Sequence, residues 1–213
     1  MTDDGYVKFQ VEHRPGTVPW TAALAGLDGV RTELFDLGMI GVYPNGIGYG
    51  NLSLRDAGDT FIITGTATGA RRELGPDGWC RVDGFSAEDN RVRCSGPIAA
   101  SSESMTHGTI YQALSRVGCI IHVHHRRLFD AMLAGSDPRT AADVPYGTPA
   151  MAAAVAALVR AIPEPAGLFA MAGHDEGVVA YGPDPAAARH LLLTRFLASS
   201  GALPGIAGVP PAR

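Results

Sequence analysis

Apolar positions along the chain follow two rhythms, and the switches between them mark out the elements. Asn51–Arg55 (NLSLR) alternates apolar and polar with a period of two, as a strand does. Thr60–Thr64 (TFIIT) is β-branched and aromatic and predicts a second strand; Cys80–Val82 and Arg91–Cys94 predict a third and a fourth. Cys119–His125 (CIIHVHH) reads as a buried strand. Leu168–Ala172 and Gly177–Tyr181 predict two more, joined by a tight turn at Gly173-His174-Asp175-Glu176. Pro19 to about Gly38 carries a helical spacing, with Leu24, Leu27, Leu34 and Leu37 on one face, Thr17 as N-cap and Pro19 near the first helical position. Ser102 to about Arg116 predicts a helix capped by Ser101 and stopped by Gly118. Thr148–Ile162, rich in alanine, and Pro185–Ser199 predict two further helices. Gly41–Gly50 is a glycine-rich loop. Strands and helices alternate with short gaps and no internal repeat, so one α/β domain over residues 18–200 is expected. An irregular or extended arm, 1–17, would precede it, and a flexible tail, 201–213, would follow.

Composition narrows the function classes. The chain has 213 residues, 46% apolar and 18% charged, which suits a protein with a real core. A net charge of -4 argues against nucleic acid as the main partner, because a phosphate backbone needs a basic face. No apolar run approaches the roughly 20 residues of a membrane helix. The first residues, MTDDGYVKFQVEHRPG, lack the apolar core of a secretory signal. Cys80, Cys94 and Cys119 are odd in number and scattered, which fits a reducing cytoplasm and makes them poor zinc ligands. A cytoplasmic location is therefore expected.

The candidate chemistry lies in histidines. His122 and His124 are two apart in a strand, so both imidazoles face one side while Ile121 and Val123 pack on the other. Glu103 stands in the first turn of the preceding helix, where a carboxylate also complements the helix dipole. His107 shares its face and either orients a ligand or packs. His174 occupies a turn, where histidines are usually just exposed; it gains weight from the others. Three histidines and a carboxylate with an open position form the ligand set of a catalytic zinc site, and imidazole also suits iron, cobalt or manganese. Gly50-Asn51, Thr64-Gly65-Thr66 and Ser101-Ser102 can each offer backbone N–H groups and hydroxyls to an anion, although each is also an ordinary turn or cap.

Taken in order, these pieces resemble the class II aldolase/adducin family, whose best-known type is fuculose-1-phosphate aldolase. The resemblance runs from about Gly48 to Leu193 and is carried by GNLSLR at 50–55, FIITGT at 61–66, Ser101-Ser102-Glu103 with His107 and Tyr111, IHVH at 121–124, and Ala172-Gly173-His174. It implies a single-domain class II aldolase-like fold, with a central, mostly antiparallel sheet flanked by helices, and a homotetramer. It implies a divalent ion, zinc first, with iron, manganese or cobalt as alternatives, on His122, His124 and His174. Glu103 would transfer the proton, and Asn51, Thr64, Gly65, Ser101 and Ser102 would hold a substrate phosphate. The implied reaction is aldolase-type cleavage or formation of a C–C bond, through an enediolate, in a small hydroxy-carbonyl or sugar-phosphate substrate of carbohydrate metabolism.

The chain departs from the family pattern in three places. The stretch from His124 to His174 is short, and its only tyrosine is Tyr146; either the aldol acid is absent, the favoured reading, or Tyr146 serves. Thr64-Gly65-Thr66-Ala67-Thr68-Gly69 replaces Thr-Pro-Ser-Gly, with Arg71 and Arg72 nearby, so the anion pocket is expected to differ. Asp175-Glu176 follows His174 where glycine is common, and His125 extends the histidine run as a packing or ligand-orienting residue. Epimerisation, dehydration or iron-dependent oxygenation in the same site, and a non-catalytic adducin-like role, are the alternatives to a lyase.

Overall fold

The computed structural model describes residues 10–162 and 164–200. Residues 1–9 of the expected arm and the expected tail, 201–213, lie outside the described residues.

Among the described residues, eight strands form one sheet. In chain order they are β1 (Gln10–Pro15), β4 (Asn51–Arg55), β5 (Phe61–Thr64), β6 (Trp79–Ser86), β7 (Arg91–Gly96), β8 (Cys119–His124), β9 (Gly167–Ala170) and β10 (Gly177–Gly182); β2 (Gly41–Val42) and β3 (Gly48–Tyr49) make a separate small hairpin. The order across the sheet is β1-β7-β6-β5-β4-β8-β10-β9, and every pairing is antiparallel except β1 with β7. This is the mostly antiparallel α/β sheet expected of the family resemblance. Part of the expected N-terminal arm is thus an edge strand.

Among the described residues, five α-helices cover the sheet: α1 (Ala22–Asp36), α2 (Ser104–Ala113), α3 (Arg126–Ala134), α4 (Pro149–Ala161) and α5 (Pro185–Ser199). The period-two alternation of β8 divides the core between its faces. Ile120 packs with Ile110 and Tyr111 of α2 and Val155 and Val159 of α4. Ile121 and Val123 pack on the opposite face with Leu24 and Leu27 of α1, Leu128 and Met132 of α3 and Ala188 and Leu192 of α5. Fully burying each such aliphatic side chain contributes about 1.5–3 kcal/mol. His122 and His124 share the Ile120 face, so α2 begins beside them.

Three local expectations are corrected. Helix α1 is capped by Thr21, whose hydroxyl accepts from Leu24 N at 3.2 Å, and Thr17 lies upstream of it. Helix α2 begins at Ser104 with Glu103 in the cap position; Ser101 instead closes a preceding turn, its carbonyl accepting from Ser104 N at 3.1 Å. The β8 strand ends at His124, because His125 turns its Nδ1 to accept from Leu128 N and caps α3, a helix absent from the sequence-based expectations.

Candidate functional site

Strand pairing assembles the site. In the β4–β8 register Asn51 stands opposite His122, and in the β8–β10 register Gly177 stands opposite His124, which carries the β9–β10 turn and His174 to the same end of the sheet. Gly50, just before Asn51, has φ +80, and a Cβ there would meet Ile40 Cγ1 at 2.7 Å, so only glycine lets β4 start at this point. Gly173 is held as closely: a Cβ would fall 1.8 Å from the Val144 carbonyl oxygen. That approach sets the His174 turn against the 142–146 segment.

The three imidazoles converge. His124 Nε2 lies 3.0 Å from His122 Nε2 and 2.8 Å from His174 Nε2. All three side chains are buried. His122 donates Nδ1–H to the Val178 carbonyl at 3.2 Å, which leaves its Nε2 lone pair facing the cluster. Burial pushes His122 down to about 4 and holds His124 well below the usual histidine range, with the neighbouring imidazoles adding to the effect at His124. Both rings are therefore neutral at pH 7, as metal ligands must be. Three ring nitrogens within 4.8 Å of one another, with the His122 ring anchored from behind by the Val178 carbonyl, fit a divalent ion.

Glu103 is buried beside this cluster. Its Oε1 lies 3.7 Å from His174 Nδ1, and its Oε2 accepts from the Thr106 hydroxyl at 2.8 Å. His107, one turn along α2, is fully buried, and its Nδ1 contacts Ser53 Oγ at 2.7 Å, which in turn meets the Tyr111 hydroxyl at 2.8 Å. His107 thus belongs to the packing between α2 and β4. Tyr146, which the shortness of its segment had set aside, is buried with its ring 4.0 Å edge-on from His174.

A cavity of about 280 Å³ opens onto the histidines. One wall is the β2–β3 hairpin through Asn51, the other the 65–69 turn, and Ser101, Ser102, Glu103 and Tyr146 complete it. Asn51, Gly65, Ser101 and Ser102 of the expected anion set line it. Thr64 does not: its hydroxyl accepts from Leu52 N at 3.4 Å within the sheet. No lysine or arginine is among the described residues of the lining. Arg71 and Arg72 point elsewhere, Arg72 pairing with Asp36 at 2.6 Å.

Sequence reasoning passed over Tyr43, Tyr49 and Arg31. The Tyr43 and Tyr49 rings pack with centroids 4.5 Å apart, tilted by 42°, beside His124; two tyrosines in a glycine-rich loop just before Asn51 were the available signal. Arg31, buried on α1, donates to the carbonyls of Arg71, Arg72 and Thr68 at 2.7, 3.0 and 2.9 Å and so holds the 65–72 turn against α1. The three cysteines are buried and unbridged. Among the described residues no helix is long and apolar enough to cross a membrane.

Solved structures share the architecture. L-Fuculose-1-phosphate aldolase from Thermus thermophilus superposes with a TM-score of 0.58 at 23% identity, over 84% of this chain and 93% of that one. YgbL from Klebsiella pneumoniae gives 0.62 at 21%, over 88% and 92%. A sugar-phosphate aldolase from Thermotoga maritima gives 0.55 at 16%, over 84% and 92%. Identities this low speak for the fold. No curated protein matches the chain. The model of the class II aldolase and adducin N-terminal domain matches residues 45–195, a span that holds the sheet strands from β4 to β10, all three histidines, Glu103 and Tyr146. The chain belongs to the class II aldolase and adducin N-terminal domain family.

Proposed function

We propose that this enzyme is a metal-dependent lyase that cleaves or forms a C–C bond in a small hydroxy-carbonyl substrate. The observation that carries the reading is the convergence of three imidazoles on a cavity that also holds Glu103 and Tyr146. His122, His124 and His174 would hold the ion, zinc first, with iron, manganese or cobalt compatible with imidazole. A divalent ion there supplies Lewis-acid polarisation of a substrate carbonyl.

The remaining steps belong to the chain's own groups. Glu103, oriented by the Thr106 hydroxyl, takes and returns the proton at the carbon next to the carbonyl. Tyr146 lies across the His174 ring and would donate its phenolic proton to the aldehyde oxygen when the bond forms, and its phenolate would take that hydroxyl proton back when the bond breaks. Asn51, Ser101, Ser102 and the Gly65 backbone hold the far end of the substrate. This donor set is neutral and rich in hydrogen bonds, and it suits a phosphate or a hydroxylated chain. Assembly as a homotetramer, a place in carbohydrate metabolism and a cytoplasmic location are part of the same proposal.

A second reading keeps the site and changes the outcome. YgbL is described as an aldolase, epimerase or decarboxylase candidate. Here two proton-handling groups, Glu103 and Tyr146, both flank His174, an arrangement that also serves removal of a proton and its return from elsewhere, as in epimerisation.

Elemental analysis of the purified protein, with His174→Ala alongside, tests the proposal. One equivalent of zinc, manganese or cobalt per chain is expected. It should be lost in the variant together with retro-aldol activity on a panel of hydroxy-carbonyl compounds with and without phosphate. Stoichiometric iron would favour oxygenation, and no metal after reconstitution would overturn the lyase.

A further inference from the structure

One chain of contacts behind the histidines takes no part in the steps above. Glu176, in the β9–β10 turn, has φ +64, a left-handed conformation that glycine adopts freely and a glutamate does not. Its backbone is pinned there, since its carbonyl accepts from His125 N at 3.2 Å. Its carboxylate is engaged twice. Oε2 accepts from the Tyr43 hydroxyl at 2.7 Å, and Oε1 accepts from Arg126 Nε at 3.1 Å. The Tyr43 oxygen, in turn, lies 2.9 Å from Nδ1 of His124. A strained residue that could be glycine, and whose side chain ends one tyrosine away from a metal-ligand candidate, points to a task for that side chain.

Proton bookkeeping identifies the task. A phenol has one hydrogen, and the Glu176 carboxylate takes it. The Tyr43 oxygen then faces His124 only as an acceptor, so His124 must carry its hydrogen on Nδ1. Its Nε2 is left with a lone pair, aimed at Nε2 of His122 and of His174. The other tautomer would put a hydrogen in the middle of the cluster and close it to a cation. Arg126 also pairs with Asp175 and lies 3.5 Å from Asp130, which fixes the outer end of the chain and holds the Glu176 carboxylate away from the cavity.

We propose that Glu176 and Tyr43 are positioning residues: through a carboxylate–phenol–imidazole chain they set the tautomer and the ring orientation of His124 for a divalent cation. The inference rests on the three-histidine metal reading. It extends that reading to two residues, one in the small hairpin and one in the ligand turn, that touch neither the cation nor the substrate.

The test measures zinc affinity by competition with a chromogenic chelator in the wild type, Tyr43→Phe, Glu176→Gly and Glu176→Gln, together with the thermal midpoint of each metal-free protein. Tyr43→Phe and Glu176→Gly should weaken zinc binding by about 10- to 100-fold, the range for residues that orient a ligand. Glu176→Gln keeps an acceptor oxygen for Tyr43 and should recover most of the affinity. Metal-free Glu176→Gly should melt no lower than the wild type, since glycine relieves the left-handed backbone, and a merely structural glutamate would not separate the two readouts this way. Long-range proton–nitrogen spectra of the metal-free wild type should show His124 protonated on Nδ1, and Tyr43→Phe should populate the other tautomer. Zinc affinity within twofold of the wild type in both Tyr43→Phe and Glu176→Gly would overturn the inference while leaving the metal site standing. A wild type that binds no zinc would remove the site itself, and this inference with it.

Discussion

Replacing Arg31 with methionine separates the stability of the cavity wall from the proposed metal site. Arg31 is 1% exposed, and its guanidinium donates to three carbonyls, those of Thr68, Arg71 and Arg72. Methionine keeps much of the stem's packing and removes every donor. Hydrogen bonds to a charged group contribute about 1.5–3 kcal/mol each. Against that stands the cost of burying the cation, visible in the way desolvation pushes the guanidinium down to about 10. Two of the carbonyls also keep another donor: Thr68 O accepts from Arg71 N at 3.0 Å and Arg72 O from the Thr32 hydroxyl at 3.3 Å. The net loss should therefore be near that of breaking one buried polar cluster, about 3–5 kcal/mol. For a chain of this size about 2–4 °C of melting temperature is lost per kcal/mol, so calorimetry should show a fall of roughly 6–20 °C. Zinc affinity should hold within about threefold, because the proposed ligands sit on β8 and the β9–β10 turn and not on the 65–72 turn. A melting temperature within about 3 °C of the wild type would refute the clamp.

Other outcomes follow from the same geometry. Glu103→Gln should retain its metal but lose about 10²–10⁴-fold in turnover, read as kcat on whichever hydroxy-carbonyl compound proves active; full turnover would remove Glu103 from proton transfer. Ser102→Ala should weaken binding of a phosphorylated substrate about fivefold, measured by calorimetric titration, and unchanged affinity would dissolve the anion pocket. Gly173→Ala forces a Cβ against the Val144 carbonyl oxygen, a clash at 1.8 Å that must displace either the ligand turn or the Tyr146 segment. It should cost about 1–3 kcal/mol in a denaturant melt, and an unchanged midpoint would show the contact to be yielding. Acid should destabilise the metal-free protein. His122 titrates at 6.5 when unfolded and, by burial, at about 4 when folded, so the unfolded state binds the extra proton between those values. Stability is then full above pH 6.5 and lost as pH falls to 4, by about 3 kcal/mol, and a flat melting temperature between pH 7 and 4.5 would contradict it.

Local signals carried some of this architecture and missed the rest for physical reasons. Helix α5 spans Pro185–Ser199 as its sequence suggests, because proline at the first position and Asp184, whose carboxylate accepts from Ala187 N at 2.8 Å, both act within one turn. Thr148 caps α4 for the same reason. Helix α3 escaped because its cap is a histidine, an uncommon capping residue that reads as the end of the strand HVHH. The histidine pair was visible because strand period alone puts His122 and His124 on one face. The residues beyond it were not. Tyr43 meets His124 across 81 positions and Arg31 meets Thr68 across 37, and such contacts exist only once the sheet order brings distant segments together. Tyr146 was discounted on segment length, yet its burial against His174 depends on the close approach of Gly173 to Val144, which spacing cannot reveal.

The lack of lysine and arginine in the described lining of the cavity has a consequence for how electrons are handled. Breaking a bond next to a carbonyl leaves an electron pair that needs a sink, and an enzyme can build one covalently, as a protonated imine on a lysine. This chain contains a single lysine, Lys8, outside the described residues, against sixteen arginines. Arginine stays protonated and does not condense with carbonyls under these conditions. With no amine among the described residues at the cavity, the proposed lyase would use an electrostatic sink, and borohydride added during turnover should trap no imine; a trapped imine would contradict it.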